Sequence, residues 1–233
     1  YGVMSAGIAV VFSLGLIFFY LFSEIAPLFR GASVEPVSSY SLQKSNDSLA
    51  FVSLERYEEV GAAFYASGAI EFFDAKTGAI STRAAMPAAS DAQFTAIATS
   101  TANQALIAYG YSDGSVSVAK PEYALSYPND QRAITPSITF PLGDAPIQLD
   151  VDGKPLRHVA IQHTTNGWLI AALTDDRRLL LGRFDAKRNL LTGKTHVEQD
   201  ITQLPSLPDT ADIVEMQLDD RAKHLVIATK QSG

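Results

Sequence analysis

The chain has 233 residues, with 18 Lys and Arg against 25 Asp and Glu, a net charge of −7, and 47% hydrophobic residues. It contains no cysteine, which rules out disulfides and cysteine-ligated zinc. The acidic balance argues against nucleic acid as a partner.

The first element is the run from Gly2 to Phe22, uncharged and mostly apolar. A helix of about twenty residues spans roughly 30 Å, the thickness of a bilayer's hydrocarbon core. The run is too long for the apolar part of a cleavable signal peptide. Ser23 to Arg30 is also bulky where a cleavage site needs small residues. A helix apolar on every face does not suit the core of a soluble domain. Phe18, Phe19, Tyr20 and Phe22 cluster at one end, as side chains at a lipid–water interface do, and Pro27 stops or bends the helix. Residues 1–29 are therefore predicted to be a single transmembrane helix. No dense Lys/Arg cluster follows it and the remainder is acidic, which favours the outer side by the positive-inside rule without fixing the orientation. Gly2, Ala6, Ala9 and Ser13 fall near one helical face. They are either ordinary small-residue content or a surface for another helix. Tyr1 abuts the run directly, as expected of a fragment of a longer protein.

Residues 30–46 read as a polar linker, and residues 47–233 as one all-β domain. Eleven runs carry strand character: Leu49–Leu54, Ala62–Tyr65, Ile70–Phe73, Phe94–Thr99, Ala105–Tyr109, Ser115–Ala119, His158–Gln162, Trp168–Leu173, Leu179–Arg183, Ile213–Leu218 and Leu225–Thr229. They are rich in β-branched and aromatic residues, or alternate, and are bounded by Gly, Asp, Asn or Ser.

An internal repeat organises them. Segments 61–74, 105–118 and 168–181 each place an apolar strand, a tight polar turn and a second strand in that order. The turns are Ala66-Ser67-Gly68, Ser112-Asp113-Gly114 and Thr174-Asp175-Asp176, whose Gly and Asp residues suit short hairpins. A fourth copy starts at His224. Phe73-Asp74-Ala75-Lys76-Thr77-Gly78 echoes Phe184-Asp185-Ala186-Lys187 and Leu191-Thr192-Gly193, a turn expected between third and fourth strands. Repeats of this length, each with several strands, predict a degenerate β-propeller of about three and a half blades. Further blades are expected beyond Gly233. Pro121 to Pro146, with five prolines, is predicted to be a long excursion between blades, and Leu204 to Asp209 a rigid connector.

Chemistry is sparse. His158, His163, His196 and His224 form no metal-binding spacing, and His158 and His163 are expected on opposite faces of a strand. Asp150-Val151-Asp152-Gly153 begins like a calcium loop, but Lys154 occupies the next ligand position, no Glu closes it, and a hairpin turn is the better reading. Asp175-Asp176 and Asp219-Asp220 are expected to serve turns. Ser41 and Lys44 match a Ser-x-x-Lys pattern inside the linker without supporting motifs. Trp168 is expected in the core. No catalytic, cofactor-binding or metal-binding residue is assigned, no cofactor is expected, and the segment is not expected to be an enzyme.

Family-like words run in order through the chain. They are Ile17 to Phe22, Ala26 to Phe29, Gly31-Ala32, Phe72 to Gly78, Tyr127-Pro128, Ala133 to Pro136, Phe140 to Gly143, Ala145 to Ile147 and Leu191 to Gly193. In these the chain resembles the N-terminal part of the long-form permease of the phosphate ABC transporter of some Gram-negative bacteria. That resemblance implies a helix entering from the cytoplasm, a bacterial inner-membrane location and a periplasmic propeller-like domain for docking or regulation. It implies as partners a second permease subunit, cytoplasmic ATPase subunits that carry out ATP hydrolysis, a periplasmic phosphate-binding protein and the lipid bilayer. Two alternatives stand beside it. One is a stand-alone membrane-anchored propeller scaffold in envelope-protein assembly. The other is a propeller enzyme, which calls for convergent His, Asp, Glu or Arg residues around a central channel.

Overall fold

A computed structural model describes residues 2–29, 39–42, 47–101, 105–188, 195–205, 207 and 212–230. The chain divides into two compact units, Tyr1–Ser39 and Tyr40–Gly233.

In the first unit, helix α1 (Gly2–Ile25) runs into a 3-10 turn at Ala26–Phe29. Its segment Ser5–Ile25 is long and apolar enough to cross a membrane, and none of that segment is buried. Phe12, Phe18 and Phe19 each stand at least 70% exposed. The Ser23 hydroxyl donates to the Tyr20 carbonyl at 2.7 Å, which satisfies a polar group near the helix end within the helix itself. The expected span falls on this helix.

The second unit is all-β. The first sheet follows chain order, β1 (Leu49–Leu54), β2 (Val60–Tyr65), β3 (Ala69–Asp74) and β4 (Ile80–Ala85). The second contains β5 (Phe94–Thr99), β6 (Ile107–Tyr111), β7 (Ser115–Ser126) and β8 (Ala133–Thr139), with the short β9 (Ile147–Gln148) also paired to β7. The third contains β10 (Leu156–His163), β11 (Gly167–Thr174), β12 (Leu179–Arg188) and β13 (Thr195–Leu204). A fourth sheet pairs β14 (Asp212–Leu218) with β15 (Leu225–Lys230). Every pairing is antiparallel between chain neighbours, save β7 with β9. Three blades of four consecutive strands, the second extended by β9, and a two-stranded fourth sheet make an all-β, degenerate propeller.

Burial explains the stacking. A strand whose alternate residues are apolar on both faces must be covered on both faces. Middle strand β6 is buried at all five positions. Ala62, Phe64, Ile70 and Phe72 of blade 1 pack with Ile107, Tyr109 and Ala119 of blade 2. The other face of blade 2, through Ala108, Val116 and Val118, packs with Val159, Ile161, Ile170 and Phe184 of blade 3. The far face of blade 3, through Ala171, Leu173 and Leu179, packs with Met216 and Leu218 of blade 4. The outward face of blade 1, Ala63, Tyr65 and Phe73, is covered in part by Leu42. Tyr40 stands edge-on to Phe73 and donates its hydroxyl to the Ala75 carbonyl at 2.8 Å. Two of the residues predicted to be linker are thus packed onto the domain. The rest of that linker lies largely outside the described residues.

The repeat turns sit where the sequence places them, joining β2 to β3, β6 to β7 and β11 to β12. Asp74 organises the turn into β4. Its Oδ1 accepts from the amides of Lys76 and Thr77 and from the Thr77 hydroxyl, while Gly78 closes the turn at φ +73°. In the third copy Phe184 to Lys187 form no such turn: they continue β12, paired from Phe184↔Gln199 to Lys187↔His196, because the longer β13 keeps their backbone groups bonded. Leu191 to Gly193 lie outside the described residues.

The segment from Pro121 to Pro146 is not an excursion. Its first part continues β7 to Ser126 and its second forms β8, paired from Lys120↔Thr139 to Ser126↔Ala133. Asp150 to Gly153 likewise closes no hairpin. It crosses from β9 in blade 2 to β10 in blade 3.

Candidate functional site

The first strands of the four blades, β1, β5, β10 and β14, line one cleft of about 400 Å3. Phe51, Ile97 and Met216 supply apolar surface there, and His158, Glu215 and Gln217 supply polar groups. The fold brings these strands together because each leads its blade and its second strand turns back outward from it. His158 therefore faces the axial cleft. His163, five residues on, lines two other clefts instead.

Two polar locks fix the ends of the blades that frame this cleft. At one end, Gln162 is fully buried. Its Nε2 donates to Thr101 Oγ1 at 3.2 Å and to the Asp220 carbonyl at 3.1 Å, and its Oε1 accepts from the Thr101 amide at 3.4 Å. One side chain of blade 3 thereby holds the turns that follow β5 and β14. A buried amide needs such partners, since each unmet polar group costs about 1–3 kcal/mol.

At the other end, Asp150 is 1% exposed. Its carboxylate accepts from Arg178 Nη1 and Nη2 at 2.7 and 3.0 Å, and from the Lys154 amide at 2.7 Å. Arg178 also pairs with Asp176 and Asp152. The carboxylates that resemble the start of a calcium loop do converge on a cation, and that cation is a guanidinium. Hydrogen bonds to Asp150, then to Asp176, raise the Arg178 pKa further, so it stays charged. The Thr174 hydroxyl, 2.5 Å from Asp176 Oδ1, leads the effects that hold Asp176 below the usual carboxylate range.

The remaining candidate residues make the following contacts. Asp175 pairs with exposed Arg157. Asp219 Oδ1 accepts from the amides of Lys223 and His224, and its Oδ2 lies 3.2 Å from His224 Nδ1. His196 and Lys187 both reach Glu198. Trp168 packs partly against the core between blades 2 and 3, edge-on to His163. Of the Ser-x-x-Lys pattern, residues 43 and 44 lie outside the described residues. Among the described residues, no group of three or more His, Asp or Glu is arranged to hold a metal ion. Gln162 and Arg178 escaped the sequence reading because neither belongs to a local motif. The partners of Gln162 lie 61 and 58 residues away, and Asp150 lies 28 residues from Arg178, whose local side-chain partner is Asp176.

No family model matches the chain, and no curated protein matches it. Among solved structures it is similar to the β-propeller domain of Myceliophteria thermophila Cps50 (Swd1), with 14% identity and a TM-score of 0.46. The match covers 81% of this chain and 51% of that one, so the chain spans about half the length of the structure it matches. Membership in the phosphate permease family is not upheld, and neither are the phosphate-transport role and the ABC permease assignment. That family is one of multi-span membrane proteins, and neither family models nor curated proteins support it. The words that carried the resemblance have local structural reasons. Asp74 to Gly78 is a capped turn, and Ala133 to Pro136 is part of a blade's outer strand.

Proposed function

We propose that the protein is a membrane-anchored β-propeller scaffold, held by α1 and acting in the assembly of envelope proteins, with its domain on the outer side of a bacterial inner membrane. The observation that carries this reading is α1 itself. Twenty-one residues of high mean hydropathy stand wholly uncovered by protein, and an apolar surface of that kind calls for lipid. The domain supports binding rather than catalysis. Its buried Asp150 is paired with Arg178, its buried Glu55 accepts from the amides of Tyr57 and Glu59, Asp74 caps a turn, and its blades present a surface with open clefts. The absence of a basic cluster next to the helix favours the outer side.

The test begins with membranes washed in alkaline carbonate. The full chain stays with the pellet, and a variant lacking residues 2–25 moves to the supernatant. In spheroplasts, added protease removes the domain of the intact protein. Crosslinking through the domain then captures envelope proteins, and the capture is lost when residues 47–233 are deleted while α1 is kept. Release of the full chain by carbonate would remove the anchor. Protection of the domain in spheroplasts would place it on the other side.

A further inference from the structure

We propose that the cleft at the junction of blades 2 and 3 is a saccharide-binding site, with Trp168 as its apolar platform. The cleft has a volume of about 330 Å3, within the range of small-molecule sites. Blade 2 contributes Lys120 and Glu122 from β7 and Thr139 from the end of β8, and blade 3 contributes His163 and Trp168. These two residues of blade 3 are direct partners across β10 and β11. The indole packs partly on the core, and the aromatic side chain also lines the opening.

The lining chemistry selects the ligand. Lys120 Nζ lies 3.2 Å from Glu122 Oε1, so the cleft carries a matched cation and anion rather than a net charge. That arrangement does not suit a phosphate or a nucleotide. It offers a donor and an acceptor side by side, with the Thr139 hydroxyl on the same wall. A pyranose needs this combination: an apolar C–H face for an aromatic ring, and hydroxyls at its edge that both donate and accept. A proline-rich peptide needs an aromatic-lined groove. Here the second ring, His163, stands at 80° to Trp168 with centroids 5.6 Å apart, so no parallel pair of rings forms. A second cleft of about 490 Å3 shares His163 and adds Thr164, Thr165, Asp220, Arg221 and Lys223. The polar surface continues past one sugar ring, which points to an oligosaccharide.

Trp168 is the sole tryptophan of the chain, so fluorescence excited selectively at tryptophan, past the absorption of the tyrosines, reports from this cleft. The full-length chain, in a detergent without a sugar headgroup, is titrated with chitotriose, maltotriose, cellotriose and a proline-rich decapeptide. The expected result is a saturable shift in emission with at least one trisaccharide. Lys120→Met and Glu122→Gln weaken that response tenfold or more with unchanged circular dichroism, and Thr229→Ala on β15 leaves it intact. Calorimetry on Trp168→Phe shows the heat of binding lost. No saturation below about 10 mM for any trisaccharide overturns the proposal. So does a response to the peptide alone, or an affinity unaltered in Lys120→Met and Glu122→Gln.

Discussion

Arg178 holds Asp150 through both terminal guanidinium nitrogens, Nη1 and Nη2, and so joins the turn between β11 and β12 to the segment that enters blade 3 from blade 2. The same segment is tied to blade 2 by the amides of Leu149 and Asp150, both of which donate to the Gly114 carbonyl at 3.1 Å. Asp150 is therefore the point where two adjacent repeat turns meet. Removing Arg178 leaves its carboxylate buried without a counter-ion, an arrangement that costs about 3 kcal/mol or more. Arg178→Met is expected to lower the melting temperature by roughly 6–12 °C for a domain of this size. Asp150→Asn in the Arg178→Met background recovers part of that loss, because the stranded charge is gone. Thermal melts of the two single variants and the double variant decide it. Strictly additive losses would show that the pair does not act as a unit.

Gln162 is the corresponding lock at the opposite end of the blades. Gln162→Leu keeps the volume and removes all three hydrogen bonds to Thr101 and Asp220. The expected loss is about 1–3 kcal/mol. Because two different turns are released, amide exchange should accelerate both near Thr101 and near Asp220. Faster exchange at only one of them would mean that the side chain does not bridge the blades.

Which strands the sequence revealed follows from what each has to bury. Strands β2, β6 and β11 lie in blade interiors, so both of their faces demand apolar residues and their sequences show it. Strands β4, β8 and β13 are the outermost of their sheets, and all three went unrecognised. Ile80-Ser-Thr-Arg-Ala-Ala85 has three exposed positions in a row, and nothing in it alternates against a core. Such a strand is fixed by backbone pairing, which a residue pattern does not reveal. Prolines strengthened the misreading of β7 and β8. Pro136 sits in an outermost strand, where a missing N–H is tolerated. Pro121 lies past the part of β7 that pairs with β6, which ends at Ala119, so that edge is unpaired too. The candidate site was less legible than the fold. Its polar contacts join residues far apart in sequence and depend on how the blades stack.

Two glycines, Gly114 in a repeat turn and Gly143 between β8 and β9, give a prediction with its own control. Gly114 has φ +78°, and a Cβ there would lie 2.9 Å from Asp150 Cβ and 3.0 Å from the Lys154 carbonyl oxygen. Gly143 has φ +111°, with no atom within 4 Å of such a Cβ. Both positions disfavour an L-side chain, but only Gly114 adds a steric conflict with the segment that holds the buried ion pair. Gly114→Ala is expected to cost at least about 1 kcal/mol more than Gly143→Ala. Chemical denaturation of both variants measures the difference. Equal midpoints would show that the crossing segment yields without cost.

Acid sensitivity follows from the turn aspartates. The Thr77 hydroxyl is the leading cause that lowers the Asp74 pKa from an ordinary value of 3.8. The His224 amide does the same for Asp219, and the Thr174 hydroxyl for Asp176. In each case the folded state holds the proton less tightly than the unfolded chain. Their stabilising contribution is therefore complete above 3.8 and is lost as pH falls through the lower folded-state values. The melting temperature should be flat in this respect from neutral pH to about 5 and then decline below about 4. Asp74→Asn combined with Asp219→Asn removes two of the three titrations. That variant is expected to melt lower at neutral pH, yet to lose less on acidification than the parent chain. Circular-dichroism melts across this range provide the comparison. An acid slope identical in parent and variant would show that the capped turns are not where protons enter the folded domain.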